Sequence, residues 1–189
     1  MLPRGNLPID SVWAPCESFR VFPEQGMIAK KVCMVGSFSV GKTSLVERYV
    51  RSIFSDRYLS TVGVKISKKD IVAKGQAVSL VLWDMEGKDD YSKINLSYLR
   101  GAMGLFLVVD GLRRETLDEA ATLQTVAHSL VGNIPCILLI NKADMADSWE
   151  VTDGDIVNLE QQGLTIMKTS AKTGHGVDAA FLALTEAML

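Results

Sequence analysis

The stretch Val35-Gly36-Ser37-Phe38-Ser39-Val40-Gly41-Lys42-Thr43-Ser44 decides the fold. It contains G-x-x-x-x-G-K-S/T, a spacing whose glycines let the backbone wrap a phosphate chain with its N–H groups turned inward. The apolar run IAKKVCMV at 28–35 precedes it and reads as a strand. KTSLVERYVRSIF at 42–54 follows, with Leu45, Val46, Tyr49, Val50 and Ile53 on one side at helical spacing. A strand, a glycine-bearing loop and a helix N-terminus in that order place a partial positive charge where a phosphate would sit. Gly36, Ser39, Val40, Gly41, Lys42, Thr43 and Ser44 are therefore the candidate phosphate residues. Lys42 would reach the β- and γ-phosphates, and the Thr43 hydroxyl would bind Mg²⁺.

Outward from this loop, strand and helix signals alternate. VKISKKDIVA (64–73) and QAVSLVLWD (76–84) are β-rich and separated by Lys74-Gly75, which reads as a hairpin. GLFLVVDG (104–111) and PCILLIN (135–141) are apolar runs typical of strands buried on both faces, and LTIMKTS (164–170) is a shorter strand. ETLDEAATLQTVAHSL (115–130) has helical spacing at Leu117, Ala120, Ala121 and Leu123, with acids in its first turn. VDAAFLALTEAML (177–189) closes the chain as an amphipathic helix. The expectation is an α/β fold: a three-layer sandwich around a mostly parallel sheet with one antiparallel edge strand.

Composition bounds the function. The chain has 189 residues, 20 Lys+Arg against 22 Asp+Glu, a net charge of −2, and 48% hydrophobic residues. That balance gives no basic footprint for nucleic acid. No apolar run approaches the ~18 residues of a membrane span. Cys16, Cys33 and Cys136 lack metal or disulfide spacing and suit a reducing, cytoplasmic setting. Four of the five prolines fall in the first 23 residues. Residues 1–26 thus read as an irregular extension before a domain at 27–189. Trp13, Phe19 and Phe22 leave two readings open, a leader or a segment docked on the domain.

Two further motifs follow the phosphate loop. Asp84-Met85-Glu86-Gly87 lies at the end of an apolar strand, so Asp84 can hold Mg²⁺ through a water and the Gly87 N–H can approach a γ-phosphate. Asn141-Lys142-Ala143-Asp144 ends another. The Asp144 carboxylate can accept from guanine N1–H and its exocyclic amine, a donor pair adenine lacks. Asn141 would brace the loop, and the Lys142 stem would cover one ring face. Ser170-Ala171-Lys172 supplies an Ala171 N–H for the guanine oxygen.

Together GSFSVGKT, the threonine of YLSTVGV, DMEG, NKAD and SAK resemble the five nucleotide motifs of the Ras-superfamily small GTPases, over roughly residues 30–189. STVGVKI, WDMEGKD and SYLRGAMG make the chain look most like the Rab branch. The resemblance implies a P-loop NTPase fold with a six-stranded sheet and five helices. It also implies a GTP/GDP switch with Mg²⁺, and effector, exchange-factor and activating proteins that bind through switch I (about 54–64) and switch II (about 84–97). By position, Thr61 would bind Mg²⁺ and the γ-phosphate, Phe54 would pack on guanine, and Tyr58 would close over the phosphates. Thr43, Thr61 and Asp84 form the implied metal set, and Lys42, Thr61, Gly87 and Lys88 the catalytic one.

Departures from the resemblance are also legible. Lys88 stands where the family usually has a glutamine that orients water, and a donor-only ammonium does not reproduce that. Slow hydrolysis is the expectation; the rival is a pseudo-GTPase that binds nucleotide without turnover. Phe38 is bulky for a phosphate loop, and would either hinder an inserted arginine or pack away from it. Lys65 changes a Rab-type effector position. The end LTEAML carries no cysteine and position 2 is leucine, so no lipid anchor is expected in this chain, which would be soluble or excised from a longer one. His128 and His175 read as structural, Lys68-Lys69-Asp70 as an exposed hairpin face, and Arg113-Arg114 as loop charge.

Overall fold

A computed structural model describes residues 26–55, 60–87 and 96–189. Its strands are β1 (Ile28–Val35), β2 (Val64–Ala73), β3 (Gln76–Met85), β4 (Gly104–Asp110), β5 (Cys136–Asn141) and β6 (Thr165–Lys168). They form one sheet in the order β2-β3-β1-β4-β5-β6. Only the β2–β3 pair is antiparallel, which makes β2 the antiparallel edge. The helices are α1 (Lys42–Arg51), α2 (Glu115–Val131), α3 (Asp153–Gln161) and α4 (Val177–Ala187). With two 3-10 turns, Leu96–Leu99 and Ala143–Ser148, these are the helical elements among the described residues, against the five helices expected.

Alternation along the central strands builds two cores. Val32 and Met34 of β1, with Phe106 and Val108 of β4, face α1 and α4, meeting Leu45, Tyr49 and Phe181. Their neighbours Cys33, Val35, Leu105 and Leu107 face the other way, onto Leu117 and Leu123 of α2 and Ile156 of α3. A strand period of two therefore supplies both layers, so all seven residues of β4 are buried. Tyr49 and Phe181 stack at a ring-centroid distance of 3.8 Å, locking α1 to α4. The chain leaves β1 toward β3 on one side and β4 on the other. In open α/β sheets ligands settle at such a switch point, outside the carboxyl ends of the strands.

Four local readings need correction. Ile53 does not join the buried stripe of α1: the helix ends at Ser52, whose left-handed φ of 58° turns the chain, and Ile53 is exposed. Ala121 faces solvent, because α2 buries Thr116 at its N-terminus instead. Lys69 is not part of a wholly exposed hairpin face, since its ammonium lies over the Tyr49 ring and donates to the Tyr49 carbonyl. Arg113 and Arg114 are more than loop charge: Arg114 pairs with Asp118 and with Asp155 of α3, and Arg113 reaches the phosphate loop. The helix α3 had no strong apolar stripe to announce it and buries only Ile156; its N-terminus is fixed by a capping box between Thr152 and Asp155.

Candidate functional site

The carboxyl ends of β1, β3 and β5 open onto a cleft of about 870 Å³. Its size suits a nucleotide-sized ligand. Ser39, Gly41, Lys42, Thr43 and Ser44 line one wall, Phe54, Thr61 and Gly87 a second, and Asn141, Lys142, Asp144, Ala171 and Lys172 a third. Gly36, Val40, Asp84 and Ser170 are buried behind that lining. Tyr58 and Lys88 lie outside the described residues.

On the first wall, Gly41 has a φ of 101° and a Cβ there would overlap the Asn141 amide, so only glycine fits. Lys42 begins α1 and donates to the carbonyls of Gly36 and Ser37, both at 2.7 Å. Burial pushes its ammonium down to about 8, with the Asp84 charge opposing and the Arg113 charge adding to the shift. Such an ammonium, nearly dehydrated and held by two neutral carbonyls, is poised to exchange them for an anion. A Cβ on Gly87 would overlap the Ser37 carbonyl and the Lys42 ammonium, so the glycine lets the end of β3 approach the loop.

Beside the lysine, three side-chain oxygens converge. The hydroxyl of Thr43 lies 2.6 Å from that of Thr61 and donates to Asp84 Oδ2 at 2.6 Å, while Thr61 reaches the same Oδ2 at 3.3 Å. Asp84 is fully buried, and its Oδ1 has no hydrogen-bond partner among the described residues. Burial raises its carboxyl above the ordinary range, opposed by the Thr43 hydrogen bond and the Lys42 charge. An orphaned carboxylate oxygen beside two hydroxyls is a donor set that fits a hard divalent cation.

The third wall is braced from both sides. Asn141 donates to the Val40 carbonyl at 2.9 Å and accepts from the Ala171 N–H at 3.2 Å. Ser170 donates to Asp144 Oδ1 at 2.6 Å, which leaves the second carboxylate oxygen for a ligand. Phe54 is half-buried against the core, with the Arg48 guanidinium 6.0 Å from its ring centroid.

Several residues that hold this site were not singled out from sequence. Arg48 of α1 donates through Nε to the Ala171 carbonyl at 2.7 Å and also to the Lys172 carbonyl. Trp149 donates through its indole N–H to the Lys142 carbonyl at 3.0 Å, holding a residue whose φ is 67°. Asp110, at the end of β4, takes an ammonium from Lys142 and a guanidinium from Arg113. A signal for it existed: an acid that ends a buried strand, as Asp84 does. For Arg48 the sequence offers none, since it acts across 123 residues. Trp149 is only seven residues from Lys142, but no residue pattern announces a side chain that caps a backbone carbonyl. Phe38 is about two-fifths exposed at the mouth of the cleft, its carbonyl held by Arg113 at 2.7 Å.

Comparison with known proteins agrees with this geometry. A family model described as Ras family matches residues 31–189. The chain is 34% identical over 161 residues to the Ras-related protein Rab-4 of Dictyostelium discoideum, covering 84% of this chain and 78% of the relative. It is equally 34% identical to the Ras-related protein Rab-10 of Caenorhabditis elegans, over 84% of this chain and 80% of that one. The Ras-related protein RABA4a of Arabidopsis thaliana is 34% identical over 153 residues, 80% of this chain and 68% of the relative.

Proposed function

Because the chain belongs to the Ras family and is a Rab-like member of the small GTPases, we propose that it binds GTP and GDP with Mg²⁺, hydrolyses GTP slowly, and acts as a regulatory switch. The observation that carries this reading is the convergence of Thr43, Thr61 and the unpartnered Oδ1 of Asp84 beside Lys42. Thr43, Thr61 and Asp84 would hold the metal, which when bound supplies positive charge to the phosphate oxygens.

The residues divide the work. Asp144 accepts from the guanine edge, Asn141 and Ala171 complete the base site, and Phe54 and the Lys142 stem cover the ring faces. Lys42 exchanges its two carbonyl partners for phosphate oxygens and stabilises charge that develops as the bond to the γ-phosphorus breaks. The Gly87 N–H donates to the same oxygens. Water is the nucleophile, and the products are GDP and phosphate. Lys88 has no acceptor with which to orient that water, which supports a slow rate.

Switch I, with Thr61 at its functional end, and switch II, from Asp84 to about 97, would be the segments that effectors, exchange factors and activating proteins read. No helix among the described residues is long and apolar enough to cross a membrane, and a cytoplasmic setting fits the free thiols Cys33 and Cys136. Titration with fluorescent GDP, ATP and GTP, followed by single-turnover phosphate release, tests the reading. Guanine selectivity with release faster than that of protein-free GTP, and slowed by Thr61→Ala, is expected. Equal affinity for ATP would overturn the base assignment. Guanine selectivity without release would favour the alternative, a pseudo-GTPase module, which the donor-only Lys88 also motivates.

A further inference from the structure

The wall of the cleft and the loop after β4 meet at one carboxylate. Asp110 is 1% exposed. Its Oδ2 lies 2.6 Å from Lys142 Nζ and 3.1 Å from Arg113 Nε, and its Oδ1 accepts from the Leu112 N–H at 3.1 Å. Each cation extends to a different half of the site. Lys142 belongs to the base loop, and its carbonyl is held by Trp149. Arg113 donates through Nη2 to the Phe38 carbonyl in the phosphate loop. The β4–α2 region grips that loop a second time where Ser37 donates to Glu119.

We propose that Asp110 is a positioning residue that couples the base and phosphate halves of the nucleotide site, by orienting Lys142 toward one and Arg113 toward the other. This rests on the reading of the cleft as a guanine-nucleotide site. The physical logic is charge compensation. A carboxylate buried this completely needs a cation, and removing its only partner costs far more than removing one of two. While both cations remain, the three groups hold a fixed geometry. Lys142 stays in its left-handed conformation with its ammonium anchored, and the Phe38 carbonyl stays anchored to the β4–α2 loop by the guanidinium. Loss of either cation leaves the other to neutralise Asp110, so the two halves of the pocket respond to each other through Asp110 in addition to the direct Asn141–Val40 bond. Asp110 itself contacts no ligand in this account.

A double-mutant cycle on the full chain tests it, read as GDP affinity by titration with a fluorescent GDP analogue. Arg113 and Lys142 side chains are each 34% exposed, so Arg113→Gln and Lys142→Met spare the buried core. Each single variant is expected to weaken GDP by about tenfold, the scale of one charged hydrogen bond. The double variant is expected to lose about a further tenfold beyond the product of the two, because the carboxylate is then uncompensated. On an Asp110→Asn background that excess should shrink to within about twofold. Effects that multiply in the parent chain would overturn the coupling, as would an excess seen in the thermal midpoints of the nucleotide-free proteins with none in GDP affinity, since that marks a purely structural role. If Asp110→Asn does not fold, the Arg113/Lys142 cycle decides alone. A parent chain that binds GDP but shows no excess overturns this inference only; one that binds no guanine nucleotide overturns the reading of the site as well.

Discussion

Asn141 donates its side-chain amide to the Val40 carbonyl at 2.9 Å, tying the base loop to the phosphate loop across 101 residues of sequence. Its Oδ1 meanwhile takes the Ala171 N–H. Asn141→Ala removes both bonds from a buried position and leaves one donor and one acceptor without partners. At about 1–3 kcal/mol for each orphaned group, GDP affinity should fall by about a hundredfold. Competitive titration checks this, with far-UV circular dichroism to establish that the fold persists.

Selectivity for the base should reside in Asp144 and be tuned by Ser170. Asp144→Ala is expected to collapse the preference for GDP over ADP by about a hundredfold or more, the discrimination lost when a site's hydrogen bonds to a base edge disappear. Ser170→Ala removes the 2.6 Å bond that orients the carboxylate and the bond its hydroxyl accepts from the Thr173 N–H. It leaves the carboxylate itself in place, so a smaller loss, about 1 kcal/mol, is expected. Parallel GDP and ADP titrations separate the two.

Glu86 and Gly63 exchange two hydrogen bonds. Glu86 N–H donates to the Gly63 carbonyl at 2.8 Å, and Gly63 N–H donates to Glu86 Oε2 at 3.0 Å. The second bond pins the backbone two residues beyond Thr61. Glu86→Ala should raise amide hydrogen exchange at residues 61–64 by about fivefold, equivalent to about 1 kcal/mol. Glu86→Gln, which keeps an acceptor, should leave it near the parent rate.

Tyr49 of α1 stacks on Phe181 of α4, and Phe181 is 1% exposed. Phe181→Ala should destabilise the domain by about 3–5 kcal/mol through lost burial and the cavity left behind. Urea denaturation, with an unchanged m-value, measures it.

Acid should weaken the α3 cap. The Thr152 backbone N–H, with the Thr152 hydroxyl and Arg114 in support, holds the Asp155 carboxyl below the usual carboxylate range. A depressed folded pKa means that this contribution is complete above the unfolded value of about 4 and is lost as pH falls through the folded one. Asp155→Ala should therefore cost about 1 kcal/mol at pH 7, the scale of a helix cap. The gap to the parent should narrow toward pH 3. Thermal midpoints at the two pH values test both size and sign.

The fold was largely legible because its signals are local. An apolar run that ends in Gly36, followed by Lys42-Thr43 and a helical stripe, places strand, loop and helix without knowledge of any distant residue. The Lys74-Gly75 turn likewise fixes β2 against β3. The capped helix α3 leaves little sequence signal, because Thr152 and Asp155 carry its start while its apolar face is a single buried residue. Periodicity puts Ile53 on the stripe of α1 because it does not reveal that Ser52 leaves the helix.

By itself, the sequence determined the order of the candidate site motifs: a glycine-bearing turn at 36–43 between a strand and a helix, an acid at 84 that ends a strand, and an acid at 144 just after another. Each depends on neighbours a few residues away, so order along the chain is enough. Only the tertiary structure decided what holds those loops together: Asn141 on Val40, Arg48 on Ala171, and Asp110 between Lys142 and Arg113. Such contacts arise when the sheet brings strand ends side by side, and the one-dimensional spacing of residues carries no record of which strands will be neighbours.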